Sequence, residues 1–238
     1  MEYEHSVEAT RERRSAGPRH NYLRDWIYGG IDGSVTTLAV VTAVVGAHLS
    51  PLVILILGFA NLVADGFSMA ASNFLGTKSA HDDINQLATF EHSRVEMATA
   101  GGREEVRRIF AARGFAGADL ERVVELITSD RERWVRTLLN EEYGLPREAR
   151  SPWLASIATF SAFVICGLAP LIPFLISVSN PLRLSILVTG GLFFGIGAVR
   201  SRWSTVPWWR SGLSTLFVGG IVAGLSYAVG ALLRNLVL

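Results

Sequence analysis

Residues 26–49 and 51–75 are apolar along almost their whole length, and each carries a single charged residue. Each window exceeds the roughly 20 residues that an α-helix needs to cross about 30 Å of hydrocarbon. Buried strands of a soluble α/β domain run to about 4–8 apolar residues, so repeated stretches of this length point to membrane helices. The pattern predicts five spans, at 26–47, 52–75, 153–178, 184–199 and 211–233. The first ends at the turn signal His48-Leu49-Ser50-Pro51, the third contains Pro170 and Pro173, and Asn180-Pro181 precedes the fourth. Between the second and third spans lies a polar insert, 76–152. Three helical patterns fit it: 82–98, then 103–113 ending at Gly114, then 119–143 closed by Gly144 and Pro146. In the last of these, Leu120, Val123, Val124, Ile127, Trp134, Val135 and Leu138 recur at helical spacing. The expected fold is an all-α membrane protein, with five transmembrane helices and a three-helix domain inserted between helices two and three. Its parts are a tail (1–20), spans one and two (21–75), the insert (76–152) and spans three to five (153–238).

Composition refines this without changing it. Half of the residues are hydrophobic and 18% are charged, which a large soluble core would also allow; the distribution decides. The insert holds over half of the basic residues and two thirds of the acidic ones, so the net charge of +1 averages two unlike parts and implies no nucleic-acid partner. The one cysteine, Cys166, excludes an intrachain disulfide and reads as a small buried hydrophobe. The first 20 residues are polar, with Arg11, Arg13, Arg14 and Arg19, and show no short apolar stretch with a cleavage site. The first span is therefore expected to act as its own insertion signal. Arginines also set the orientation. The tail, the insert and the loop with Arg200, Arg202 and Arg210 are rich in them, while the loop after span one has none and the loop after span three has only Arg183. By the positive-inside rule the tail, insert and fourth loop are cytoplasmic, and the C-terminus lies on the far side.

The carboxylates carry the candidate chemistry. None follows Glu148, and within the five spans there are two, Asp32 and Asp65, with Asp25 at the membrane edge. An ionisable residue in hydrocarbon costs about 2.5–3.5 kcal/mol on insertion scales and marks a functional site by default. Asp65 falls about 15 Å from the cytoplasmic end of its span, near the midplane, and Asp32 about 9 Å in. Asn61, Asp65, Met69 and Asn73 recur every four residues and form a slowly drifting stripe on span two. Amide and carboxylate oxygens with one thioether suit a borderline transition metal such as Fe²⁺ or Mn²⁺ better than an alkali ion. Asp32 and Thr36 share a face of span one beside Gly29 and Gly33. A structural reading stands beside this one: Gly29-Gly30-Ile31-Asp32-Gly33 could unwind locally, with Asp32 capping the broken helix. In the insert most acids have arginine neighbours, as in Asp130-Arg131-Glu132-Arg133, and a solvated, salt-bridged helical face accounts for most of them.

Two stretches resemble the vacuolar iron transporter family, also called the yeast calcium cross-complementer family. One is Arg24-Asp25-Trp26-Ile27-Tyr28-Gly29-Gly30-Ile31-Asp32-Gly33-Ser34-Val35-Thr36-Thr37. The other is Gly58-Phe59-Ala60-Asn61-Leu62-Val63-Ala64-Asp65-Gly66-Phe67-Ser68-Met69-Ala70, followed by Thr77-Lys78-Ser79. The resemblance implies a proton-coupled exporter of Fe²⁺ from the cytosol that tolerates Mn²⁺, with Co²⁺ or Zn²⁺ as further candidates. It also implies a homodimer with the pathway at its two-fold interface. It places Asp32 and Met69 at the pathway metal site, with Asp65 and Asn61 on the same stripe, and makes the insert a metal-binding domain. There Glu96, Glu104 and Glu142 fit best, with Glu91 and Glu105 as further ligands. The chain departs from the family at Asn73, where relatives usually carry a carboxylate. It departs again at Leu138 and Leu139, where many carry methionine, and at Gly101-Gly102, where acids are common.

The expected mechanism is alternating access, with metal and protons competing for Asp32 and Asp65. An Mn²⁺-selective transporter and a non-transporting metal sensor or scaffold are the rival readings. No nucleophile–base pair, phosphate-binding glycine loop or intramembrane histidine suggests an enzyme. The lack of a sorting signal fits a bacterial inner membrane.

Overall fold

The computed structural model describes residues 22–97, 99–145, 150–176 and 178–237. The tail arginines, Pro146 and Glu148 lie outside the described residues. Every regular element among the described residues is helical. In chain order these are α1 (Leu23–Gly46), α2 (Pro51–Met97), α3 (Thr99–Ala112), α4 (Gly117–Thr128), α5 (Arg131–Glu141), α6 (Pro152–Leu168), the short α7 (Ile172–Leu175), α8 (Pro181–Arg200) and α9 (Trp208–Val237). A 3₁₀ turn, Ser201–Trp203, links the last two. Contacts divide the chain into two compact units, one of Gly76–Ser151 and one of His20–Leu75 with Pro152–Leu238.

In the apolar unit α1 is the central element and packs against α6, α9 and α8. Two glycines make this possible. A Cβ on Gly29 would run into the Thr159 carbonyl oxygen, and one on Gly33 into the Phe163 carbonyl oxygen. The spacing of four puts both on one face of α1, so two backbones meet with no side chain between them, the small-residue packing that holds helices together in lipid. Beside this seam Val41, Val44, Ile54, Leu62, Phe163, Leu171 and Phe174 form the core. By length and composition α1, α2, α8 and α9 are apolar enough to cross a membrane. Large side chains such as Leu52, Phe67, Leu187 and Leu232 stand exposed on this unit, as a lipid-facing surface requires.

The predicted elements need three corrections. The expected third span, 153–178, is not one helix: α6 stops at Leu168 and α7 resumes at Ile172. Pro170 supplies no N–H to continue the ladder, and because the Phe174 N–H turns to the Leu171 carbonyl, the Pro170 carbonyl accepts instead from Ser185 Oγ at 2.8 Å. The expected helices 52–75 and 82–98 are one continuous α2, because Gly76-Thr77-Lys78-Ser79 holds neither a proline nor a left-handed residue to end it. The expected helix 119–143 is two, α4 and α5. Asp130 breaks it by taking an extended conformation and accepting the Arg133 N–H on its side chain at 2.7 Å, as an N-cap does. The insert therefore holds the end of α2 and three further helices, rather than three in all. The stops predicted at Gly114 and Gly144 stand: both adopt positive φ just past the ends of α3 and α5.

The polar unit has its own core of Val95, Val106, Val124, Ile127, Trp134, Val135 and Leu138. Gly102 leaves room for the buried Trp134, whose ring would lie 2.7 Å from a Cβ at that position.

Replacing Asp130 by alanine should lower stability by about 1 kcal/mol, and Asp130→Asn should restore most of it. Gly33→Val should cost more, because overpacking a close backbone contact costs about 1–3 kcal/mol or above. Apparent melting temperatures of the purified variants in one detergent rank these effects. A Gly33→Val protein as stable as wild type would contradict the α1–α6 seam.

Candidate functional site

Asp32 is half-buried on α1 beside the Gly33 contact. The helix runs unbroken through Gly29-Gly30-Ile31-Asp32-Gly33, so Asp32 does not cap a broken helix. Thr36 Oγ1 donates to the Asp32 backbone carbonyl at 2.9 Å and accepts from Asn61 Nδ2 at 3.3 Å, which ties α2 to α1 at this level. One turn further along α2, Asp65 stands exposed between Val63 and Phe67, themselves 67% and 69% exposed. Asp32 and Asp65 are close enough for their charges to repel, an arrangement that a bound cation or a proton relieves. Met69 is half-buried and packs against the apolar core.

Asn73 ends the stripe in a different role. A spacing of four residues drifts about 40° per step round a helix, so Asn61 and Asn73 lie about 120° apart. Asn73 thus turns inward. Its Nδ2 donates to Thr159 Oγ1 at 2.7 Å and Asp25 Oδ1 at 3.1 Å, with the Ala155 carbonyl at 3.4 Å. Asp25, only 7% exposed, is thereby a buried carboxylate held at a junction of α1, α2 and α6. Of the six proposed pathway residues, the structure groups Asp32, Thr36, Asn61 and Asp65, with Met69 nearby on the core side, and sets Asn73 in this separate junction.

The insert's acids are arranged around arginines. Arg94 Nη1 donates to Glu91 Oε1 at 2.8 Å, and its Nη2 reaches both oxygens of Glu105 at 2.9 and 3.2 Å. Glu91 is fully buried and also accepts from Tyr143 OH at 3.0 Å, while its Oε2 has no hydrogen-bond partner. The hydrogen bond to Glu91, with that to Glu105, holds the Arg94 guanidinium still more firmly in its charged form. Burial, then the bond to Glu91, pushes the Tyr143 hydroxyl up. Glu91, Arg94, Glu105 and Glu142 line a cavity of about 480 Å³. Desolvation on the inner side of Glu142, then the Glu105 and Glu91 charges, push its carboxyl above the ordinary range. Glu104 also lines this cavity but pairs with Arg107, and Glu96 pairs with Arg131. Of the five expected insert ligands, three therefore converge, with an arginine among them. Among the described residues, no three His, Cys, Asp or Glu side chains are placed to hold a metal ion. The donor set does not fit a resident divalent ion.

Sequence reasoning overlooked Arg94 and the depth of Asp25. The spacing from Glu91 to Arg94, three residues on a helix, was a readable sign of a pair. The Glu105 partner, on the following helix, was not.

Two outcomes follow. Asn73→Leu removes a donor shared by three buried acceptors and should cost about 1–3 kcal/mol, whereas Asn61→Leu, with one long contact, should cost under about 1 kcal/mol. Thermal unfolding of both variants tests the ranking. Separately, a carboxyl whose folded pKa is raised contributes stability at low pH that is lost as pH rises through that pKa. In metal-free buffer Glu142→Gln should therefore melt higher than wild type near neutral pH, and the two should converge as pH falls through the ordinary carboxylate range. Curves parallel at all pH values would remove Glu142 from the cluster.

A sequence model described as the VIT family matches residues 23–231. The chain is 26% identical over 229 residues to a protein of Toxoplasma gondii named vacuolar iron transporter, covering 91% of this chain and 76% of that one. It is 24% identical over 216 residues to vacuolar iron transporter 1 of Arabidopsis thaliana, covering 90% and 86%. A vacuolar iron transporter of Plasmodium berghei is 24% identical over 246 residues, covering 97% and 88%. These relatives are transporters by name and not enzymes. With the match spanning nearly all of α1 to α9, the chain belongs to the VIT family.

Proposed function

We propose that this protein is an integral membrane transporter that moves Fe²⁺ out of the cytosol in exchange for protons. In this reading it works as a homodimer of five-span protomers by alternating access. The tail and the insert face the cytosol, and the host membrane is a bacterial inner membrane. The observation that carries the reading is Asp65, a carboxylate exposed on an otherwise apolar face of a membrane helix, one repulsive step from Asp32. Lipid does not tolerate such a group, so that face meets water or another protein surface. A second copy of the same face would supply a second pair of carboxylates and enclose an acidic path. The names of the relatives, vacuolar iron transporters, support iron as the cargo.

In the mechanism, Asp32 and Asp65 ionise when the site faces the cytosol, and Fe²⁺ neutralises their repulsion. Asn61 and Thr36 hold α2 against α1, so that the two carboxylates stay paired as the site reorients. Met69 offers a thioether at the edge of the core, which with hard oxygens favours Fe²⁺ or Mn²⁺ over Mg²⁺ or Ca²⁺. On the far side protons take the metal's place and the ion leaves.

In proteoliposomes, Asp65→Asn should abolish Fe²⁺-driven proton counter-movement while the dimer elutes unchanged. Asp32→Asn should reduce Fe²⁺ uptake at least tenfold. Wild-type flux through Asp65→Asn would refute the assignment. Metal binding without flux in the wild-type protein would point to a sensor instead. Fe²⁺ flux reduced by equimolar Mn²⁺, but not by Ca²⁺, is the expected selectivity.

A further inference from the structure

We infer that the insert's acidic cavity is built around an internal cation, Arg94, which takes the place a divalent metal would need. The domain therefore assembles without metal. A fully buried carboxylate is stable only when paired and hydrogen-bonded. Glu91 has both partners within the protein, the Arg94 guanidinium and the Tyr143 hydroxyl. The other terminal nitrogen of the same guanidinium, Nη2, meets both oxygens of Glu105 at 2.9 and 3.2 Å, a charge-assisted contact. The Phe90 ring lies under Arg94 at 5.8 Å and further fixes it. The cation thus sits between the two carboxylates that a metal would have to bridge.

The rest of the cavity agrees. A divalent ion there would draw on the Glu91 oxygen left without a partner and on Glu142, and would lie against the guanidinium charge. Glu104 and Glu96 are taken by other arginines. Leu138, 1% exposed, presents the wall with methyl groups and no sulfur. At Gly102 a carboxylate side chain would have to displace the buried Trp134. Pairing at Glu104 and Glu96 and packing at Gly102 thus limit the donor set, while Gly101 borders open space and offers no donor.

The test uses the purified full-length protein with Mn²⁺ as the probe, its bound stoichiometry read by electron paramagnetic resonance. Counts are compared between variants, so ions bound in the spans cancel and the result is independent of the transport reading. Wild type and Glu105→Gln should bind the same number of Mn²⁺ ions. Arg94→Gln should bind one more per chain than wild type, and Glu105→Gln in that background should remove it. Arg94→Lys, which keeps the charge, should match wild type. A wild-type count that falls by one in Glu105→Gln overturns the inference, as does a folded Arg94→Gln that gains no ion. If Arg94→Gln folds only when Mn²⁺ is present, the metal has replaced the missing cation and the inference holds. If it does not fold at all, the comparison of wild type, Arg94→Lys and Glu105→Gln decides.

Discussion

A carboxylate removed from water must find a positive partner or surrender its charge, and both parts of this chain are organised by that cost. In the polar unit the cost is met locally. Glu91 and Glu105 share Arg94, Glu104 and Glu121 share Arg107, and Glu141 meets Arg113. The exposed pairs add little stability each, because solvent screens them. The buried Glu91–Arg94 pair matters more, since breaking it leaves an uncompensated charge in the core. In the apolar unit Asp25 is steadied by Asn73, while Asp32 and Asp65 lie within reach of one another's charge. The same constraint thus yields a self-neutralised domain in one place and a pair of like charges in the other.

The position of Asp32 in that pair depends on how closely α1 lies on α6. Gly29 and Gly33 bring the backbones together, and Gly33 is the residue next to Asp32. A larger side chain at either glycine would push α1 away and carry the carboxylate with it. The Asn61–Thr36 contact then joins α2 to α1 on the level of Asp32. Packing of small residues, which supplies association in lipid where apolar burial cannot, therefore also sets the geometry of the acidic pair.

Helices α1, α8 and α9 were legible because their apolar runs are long and their turn residues strong: Pro51 after α1, and Asn180-Pro181 before α8. The continuity of α2 was not legible. The polarity change after Leu75 suggests a boundary, but a helix ends only where backbone chemistry ends it, and no such residue stands there. The break at Asp130 was hidden for the opposite reason, since apolar positions from Leu120 to Leu138 keep helical register across a capping residue. At the site, residue types were readable and directions were not. The i, i+4 stripe from Asn61 to Asn73 drifts far enough that its middle faces outward and its end inward. Glu91, Glu105 and Glu142 were named from sequence, but the arginine between them depends on a contact between α2 and α3 that no spacing encodes.

The two acidic clusters differ in what a divalent ion would gain. In the proposed reading, a cation arriving near Asp32 and Asp65 would meet two like charges, and its binding would relieve their repulsion. In the insert, the guanidinium of Arg94 has already neutralised the two carboxylates it bridges, and a metal must first displace hydrogen bonds of 2.8 and 2.9 Å. A metal attracted to the first site gains Coulomb energy directly; at the second it spends that energy expelling an arginine that stays covalently attached and at high local concentration. In the proposed reading, discrimination among metals then falls to the span residues, the oxygens of Asp32, Asp65 and Asn61 with the thioether of Met69.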